Sequence, residues 1–375
     1  MTDRTVDVVH VSSAHPWTDN RIHYRECVSL VDQGYRVALI ACDRESSEPA
    51  TGVQVIRTPS LPRWKRFTLG TFRAVRLALR TKARVVHLHD PELIWAIPIL
   101  RSMGRIVIYD AHEDLPVQIQ NKRYLHPLVV PVVAILALVL LKVASMSNQI
   151  VAATETIARR FPQGKVVVVR NYPPLREEER RSVPVGEREK SVVYLGLVST
   201  DRGADVMVGA AADEKFPAEW RLHIAGEMAT PLHRRLEAHP GWRTTEYAGR
   251  LAPREARDLL LRARVGLVVL QDTPAYRESL PTKMFEYFAA GVPVVASDFP
   301  LWRSIVDRYE CGVLVDPTSP EAVAAAIASY ASDPVLLERH SRNARRAAVE
   351  EYNWNAVVPA LRRAYERAFT QSMNG

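Results

Sequence analysis

The sequence predicts an α/β chain made of two Rossmann-like, doubly wound domains facing a cleft. Three observations predict it. Short β-branched runs alternate with longer helical patterns along the whole chain. The runs are nearly all apolar, as suits parallel strands covered on both faces. The 375 residues also exceed one ordinary core, and chains of this size divide.

In the first half the strand candidates are residues 6–11, 36–41, 54–58, 85–89, 106–110, 149–153 and 166–170. Residues 20–33 read as an amphipathic helix closed by Gly34. Residues 173–190 hold Pro173, Pro174, Pro184 and a charge run from Arg176 to Arg181, and read as a linker with no core of its own. Strands restart at 191–195, 222–225, 245–248, 266–270, 292–296 and 312–315. The expected domains are 1–172 and 191–355, with a last helix at about 356–375 after Tyr352-Asn353-Trp354.

Composition narrows the function classes. Hydrophobic residues at 47% and charged residues at 25% are those of a globular chain, which removes disorder as the default. A net charge of +8 suits an anionic partner. Lys and Arg are spread out rather than massed in a basic block, so no nucleic-acid partner is expected. Cys27, Cys42 and Cys311 are far apart and belong to no CxxC or Cys/His cluster, so neither a zinc site nor a disulfide framework is indicated. That usage fits a cytoplasmic protein, and residues 1–7 lack the form of a signal peptide. Residues 128–141 carry no charge, yet the run falls short of the roughly 20 apolar residues of a spanning helix. Two readings stay open: a buried core helix, or a helix dipping into one membrane leaflet between Lys122, Arg123 and Lys142.

Chemistry concentrates in residues 278–291. A loop leads through Leu280 to Pro281, which suits the first turn of a helix because its missing N–H costs nothing there. The helix continues to about Ala290, and Gly291 caps it. Met284, Phe285, Tyr287, Phe288, Ala289 and Ala290 predict a largely buried helix. Lys283 and Glu286 share one face, three residues apart. They form either a structural ion pair or two cleft-facing groups that bind something. The N-terminus near Thr282 and Lys283 offers N–H groups and a positive dipole end, suited to a diphosphate. Glu286, about one turn deeper, could accept bonds from two ribose hydroxyls. Glu278, ahead of the helix, could contact sugar hydroxyls or an incipient cation. Gly196, Gly226 and Gly249 end strands of one sheet, where a ligand can approach the backbone closely.

The spacing Glu278-x7-Glu286 followed by Gly291-Val-Pro293-Val-Val resembles the paired-glutamate motif of retaining glycosyltransferases of family 4, which have the two-domain GT-B fold. The form SLPTKMFEYFAAGVPVVASDFP is similar to a branch active in polysaccharide and natural-product glycosylation. The resemblance covers nearly the whole chain. It implies that His87-Leu-His89-Asp90-Pro91-Glu92-Leu93 and Tyr109-Asp110-Ala-His112-Glu113 are donor-facing and acceptor-facing loops, with His112 near the transferred sugar. Asp19-Asn20-Arg21 resembles a first loop facing the acceptor, and Gly196 to Gly203, with Arg202, a phosphate-binding turn. The last helix resembles a segment crossing back to the N-terminal domain. Departures are Ala14-His15-Pro16-Trp17 where relatives carry a Gly-Gly pair, Leu197 where an Arg is common, and Arg202 where a Lys is common.

The resemblance further implies transfer with retention from a nucleotide-diphosphate sugar, UDP being the commonest base in similar enzymes. The acceptor is a glycan, a polyprenyl-linked or a small molecule, and contact with the inner membrane face is open. No cofactor is implied. No metal is expected either, since Arg202 and Lys283 take its place and no Asp-x-Asp motif serves the diphosphate. Two alternatives remain: a nucleotide-sugar epimerase on the same fold, and an NAD-linked oxidoreductase. The second lacks a G-x-G-x-x-G turn, since Val11-Ser-Ser-Ala14 stands after the first strand.

Overall fold

The computed structural model describes residues 6–43, 50–112, 130–180 and 183–371. The chain divides into two compact units, Met1–Asn171 with Val357–Gly375, and Tyr172–Ala356.

Every strand expected from the sequence forms. In the first unit these are β1 (Val8–Pro16), β2 (Val37–Asp43), β3 (Gln54–Pro59), β4 (Val85–Leu88), β5 (Ile106–Ala111), β6 (Gln149–Ala152) and β7 (Val166–Val168). They pair in parallel in the order β3-β2-β1-β4-β5-β6-β7. The second unit holds β8 (Ser191–Leu195), β9 (Arg221–Ala225), β10 (Thr245–Tyr247), β11 (Val265–Val268), β12 (Val294–Ser297) and β13 (Gly312–Val315). Their order is β10-β9-β8-β11-β12-β13, again parallel. Each sheet therefore reverses its winding once, between β1 and β4 and between β8 and β11. Ligands of such sheets bind beyond the strand carboxyl ends at that reversal.

Apolar strands bury because helices cover them. Thr71–Arg80, Ala96–Ser102 and Val130–Ala144 share one core with Val9, Val11, Val86, Leu88, Val107 and Tyr109. On the other face, Tyr365 of the helix Trp354–Gln371 is fully buried, and its hydroxyl contacts His87 Nδ1 at 2.7 Å and His10 Nε2 at 3.1 Å. The last helix thus packs on the first sheet, as expected of a crossing helix. The amphipathic segment after β1 is wound in two ways, π over Ile22–Cys27 and α over Val28–Asp32. Gly34 closes it at φ +89°.

The proline-rich stretch differs from a bare linker. It contains the short helix Glu177–Arg180, and Val185 joins the core of the second unit. A single apolar side chain in a charged run is too weak a periodic signal to reveal this. The 128–141 segment also resolves over its described part. Ala137, Leu141 and Ala144 are buried, while Ile135, Leu136, Leu138 and Val139 are exposed, so the helix is half-buried. No described helix is long and apolar enough to cross a membrane. Residues 128 and 129, with Lys122 and Arg123, lie outside the described residues.

The strand-end glycines pack against one another. Gly226 takes φ +150°, and a Cβ on it would lie 1.8 Å from the carbonyl oxygen of Gly196. Gly34 has a strained φ but nothing within 4 Å of such a Cβ. Urea denaturation should show Gly226→Ala losing about 3 kcal/mol and Gly34→Ala only about 1 kcal/mol, since the first adds a backbone clash to the torsional cost. Equal losses would show that the strand ends are loosely packed.

Candidate active site

The helix Thr282–Ala289 is held mainly by its C-terminal end. Gly291, at φ +64°, donates its N–H to Phe288 O and Val292 donates to Tyr287 O, both at 2.9 Å. This is the paired-bond cap expected of a left-handed glycine. Arg188 Nη2 donates to Ala290 O at 3.1 Å, and Arg345 donates to Ala289 O. Two arginines so compensate the negative end of the dipole. At the other end Pro281 is the N-cap, one place earlier than expected, with φ −69° and ψ 120°. Its extended backbone aims the following N–H groups outward, where an α-helix offers them no internal partner.

Lys283 stands at that open end and is buried, 7% exposed. Its ammonium lies 3.6 Å from the centroid of the Tyr194 ring, and among the described residues its Nζ has no hydrogen-bond partner. The structural ion pair with Glu286 is therefore not formed; Glu286 is half-buried, one turn along. A Cβ on Gly196 would come within 3.4 Å of Nζ, so the glycine leaves the space that the ammonium borders. Burial first, then the like charge of Arg202, pushes the Lys283 pKa well below the ordinary lysine value. Arg202 also neighbours the Tyr194 phenol, which burial raises to about 12. Gly203, at φ +80°, presses on β11's continuation, where a Cβ would meet Val269 O at 2.0 Å. Gly196, Arg202, Gly203 and Lys283 thus converge on the winding reversal between β8 and β11. Leu280 and Thr282 flank the entrance, half-buried. Glu278 is exposed, at the end of the short helix Pro274–Arg277. Ser279 beside it is tied down by the buried Trp302, whose Nε1 donates to its carbonyl at 2.7 Å. Tyr194 and Trp302 were not anticipated; an aromatic two residues before a strand-end glycine is the signal for the first.

The first unit carries a denser polar cluster at its own reversal. Asp110, at the end of β5, accepts from Arg21 Nε at 2.9 Å and Nη2 at 2.8 Å. His89 Nδ1 lies 3.1 Å away and His112 Nδ1 3.6 Å. Burial alone would raise the Asp110 pKa, but the Arg21 charge and the imidazoles hold it well below the usual carboxylate range. Arg21 also donates to Val169 O and lies 3.1 Å from Glu26. Asp90 accepts from Ser12 Oγ and from the Ser13 and Ala14 backbone N–H groups, and pairs with His15 at 2.9 Å. It therefore pins the irregular C-terminal part of β1 to the end of β4. Asp19 accepts the Arg21 and Ile22 N–H groups and so caps the helix start.

Arg21, His89 and Asp90, expected on the acceptor side, are buried and bond other protein groups. His112 is only partly buried and is the one described imidazole of this cluster, besides His15, that keeps access to solvent. Glu113 lies outside the described residues. Asp110 and Glu26 were missed as hub residues; a carboxylate ending an apolar strand is the signal for Asp110. His10, Glu26, His87 and His89 bring ligand-type atoms within 4.8 Å of one another. His10 and His89 already share a 2.8 Å hydrogen bond, and Arg21 faces Glu26, so a cation there would have to displace existing partners.

Two parallel, doubly wound sheets in one chain are the architecture of the GT-B transferases. The comparisons narrow the class. Residues 20–172 match the family described as Glycosyltransferase Family 4, and residues 175–347 match Glycosyl transferases group 1. The chain belongs to the family 4 glycosyltransferases. It is similar to phosphatidyl-myo-inositol mannosyltransferase of Mycobacterium tuberculosis, at 30% identity over 188 residues, 47% of each chain. It spans less than half the length of this relative and of the glycogen synthase it also matches. In fold it is similar to sucrose-phosphate synthase of Thermosynechococcus elongatus, with TM-score 0.77 and 17% identity over 98% of this chain and 100% of that one. It is also similar to Anabaena HepE in complex with UDP-glucose, with TM-score 0.70 and 13% identity over 97% and 100%. The family match does not favour the epimerase alternative.

The Lys283 environment sets a testable sign. An unfolded lysine keeps its ordinary pKa, whereas the folded site disfavours the charged form. The penalty is full below the folded pKa and fades as pH rises towards the ordinary value. Lys283→Met should therefore raise unfolding free energy at neutral pH by about 1–3 kcal/mol, with the gain shrinking at alkaline pH. Conversely, Arg21→Met should cost about 3–5 kcal/mol by leaving Asp110 unpaired. Urea melts at neutral and alkaline pH read both.

Proposed function

We propose that the protein transfers a glycosyl group from a nucleotide-diphosphate sugar, with UDP as the base, to a lipid-linked glycan acceptor, with retention of configuration. The observation that carries this reading is the unpartnered Lys283 ammonium at a helix N-terminus, beside Gly196 and Arg202. A cationic side chain at a helix N-terminus matches a diphosphate in charge and shape.

In this reading Lys283, Arg202 and the N–H groups near Thr282, at the mouth formed by Leu280 and Pro281, bind the diphosphate. Gly196, Gly203 and Gly226 let the nucleotide approach the strand ends. Glu286 receives the ribose hydroxyls and Glu278 the sugar. The same cations stabilise the charge that grows on the leaving diphosphate, so no metal is needed at that position. The leaving oxygen takes the acceptor proton on the same face, which gives retention without a covalent intermediate. In the first unit His112 serves the transferred sugar, with Asp110 orienting its ring. Asp19, Arg21, His89 and Asp90 fix the acceptor-side loops, and Glu113 completes them. The half-exposed apolar helix Val130–Ala144 supports the choice of a lipid-linked acceptor and of a site of action at the cytoplasmic membrane face.

Incubation with a panel of nucleotide sugars, with and without acceptor, should release nucleoside diphosphate from a uridine donor in the presence of chelator. Activity that appears only on adding a divalent metal would remove the cationic-clamp reading. The product's anomeric coupling constant reports retention directly. Lys283→Ala and Arg202→Ala should each lower turnover about 10²–10³-fold with a smaller loss in donor affinity. A pure affinity loss at unchanged turnover would assign them to ground-state binding. Calorimetry in buffers of different ionisation enthalpy should show proton uptake on binding the nucleoside diphosphate at pH values between the depressed Lys283 pKa and the higher one it takes beside the anion.

A further inference from the structure

The three helices on one face of the first sheet turn apolar side chains outward as well as inward. In Val130–Ala144, Ile135 is 63% exposed and Leu138 59%, opposite the buried Ala137 and Leu141. The neighbouring helix Ala96–Ser102 exposes Ile99 and is followed by exposed Met103. Arg101 Nη1 donates to Met146 O at 2.7 Å, which ties these two helices together at the surface. Trp95, just ahead of the second, packs on Phe72 of the third helix, Thr71–Arg80, with ring centroids 4.7 Å apart. Phe72 is itself 64% exposed, and the exposed Trp64 and Leu69 precede it. The outward apolar groups therefore form one connected face and are not scattered singly, which is how an interaction surface differs from ordinary exposure.

Its charge is one-sided. Residues 61–80, 93–109 and 130–146 hold nine Lys and Arg and no Asp or Glu. Arg73, Arg76, Arg101 and Lys142 are exposed. Two copies of this face would oppose like charges, so it is ill suited to self-association. Apolar groups interspersed with cations, on helices too short to span a bilayer, suit the boundary between headgroups and acyl chains.

We propose that this three-helix face docks on an anionic lipid bilayer. The apolar side chains enter the interface, and Arg73, Arg76, Arg101 and Lys142 meet lipid phosphates. This deepens the lipid-linked acceptor reading above: it names the surface that carries the enzyme to such an acceptor, and the lipid charge that selects it.

Co-sedimentation of the full chain with phosphatidylcholine vesicles, with and without phosphatidylglycerol, tests it. Binding should favour the anionic vesicles by about 10-fold or more and weaken as salt rises. The double variant Leu138→Glu/Val139→Glu should lose about 10-fold in vesicle affinity. So should Arg73→Glu/Arg76→Glu. All four positions are solvent-exposed, so an unchanged melting temperature confirms that the fold survives. Absence of binding, equal binding to both vesicles, or a dimer in sedimentation velocity that the Glu variants abolish would each overturn the proposal. The last would assign the face to a second copy. Nucleoside diphosphate release without vesicles should be unchanged in these variants. Its absence in the parent protein would count against the transferase reading and leave the docking result standing.

Discussion

Each sheet reverses its winding once, and at that point the helical connections leave in opposite directions. No crossover covers the strand ends there, so backbone and side-chain polar groups meet without an apolar lid. Physical chemistry then allows two outcomes. The polar groups can satisfy one another, or they can wait for a ligand. The two units take one outcome each. In the first, Asp110 gathers Arg21, His89 and His112, and Asp90 ties the C-terminal part of β1 to the end of β4. In the second, the Lys283 ammonium faces the Tyr194 ring and has no hydrogen-bond partner among the described residues.

That contrast accounts for how the two regions act. A buried carboxylate held low by a guanidinium is a fixed part, and its ring partners inherit its rigidity. A buried amine whose pKa is depressed by burial and by Arg202 is a poised part, whose charged form a nearby anion would favour. The helix that carries it is built to be asymmetric. Arg188, Arg345 and the Gly291 cap saturate its C-terminus, while Pro281 leaves the N-terminus open. Stability is given up at one residue, which is the usual trade at a functional site.

Much of this was legible in the order of residues. The strands were found because a parallel strand covered on both faces must be apolar throughout, and the helix at 281–290 because its breakers and apolar run are local signals. The Lys283–Glu286 pairing was ambiguous because three-residue spacing places two side chains on one face without saying whether they touch. Arg21 and Asp110, 89 residues apart, could not be joined by any periodicity. Nor could a charge-free run of 14 residues declare which of its sides would be covered, since that depends on which strands lie beneath it.

The sequence by itself determined the two parallel sheets, the family and the helix that carries Lys283, because patterning, turn residues and motif spacing are all local. Only the tertiary structure decided that Lys283 has no hydrogen-bond partner among the described residues, that Arg21, His89 and Asp90 are buried and bonded inside the fold, and that Val130–Ala144 shows an apolar side outward. Each of those depends on what burial brings alongside a residue, and burial is a property of the packed chain rather than of any stretch of it.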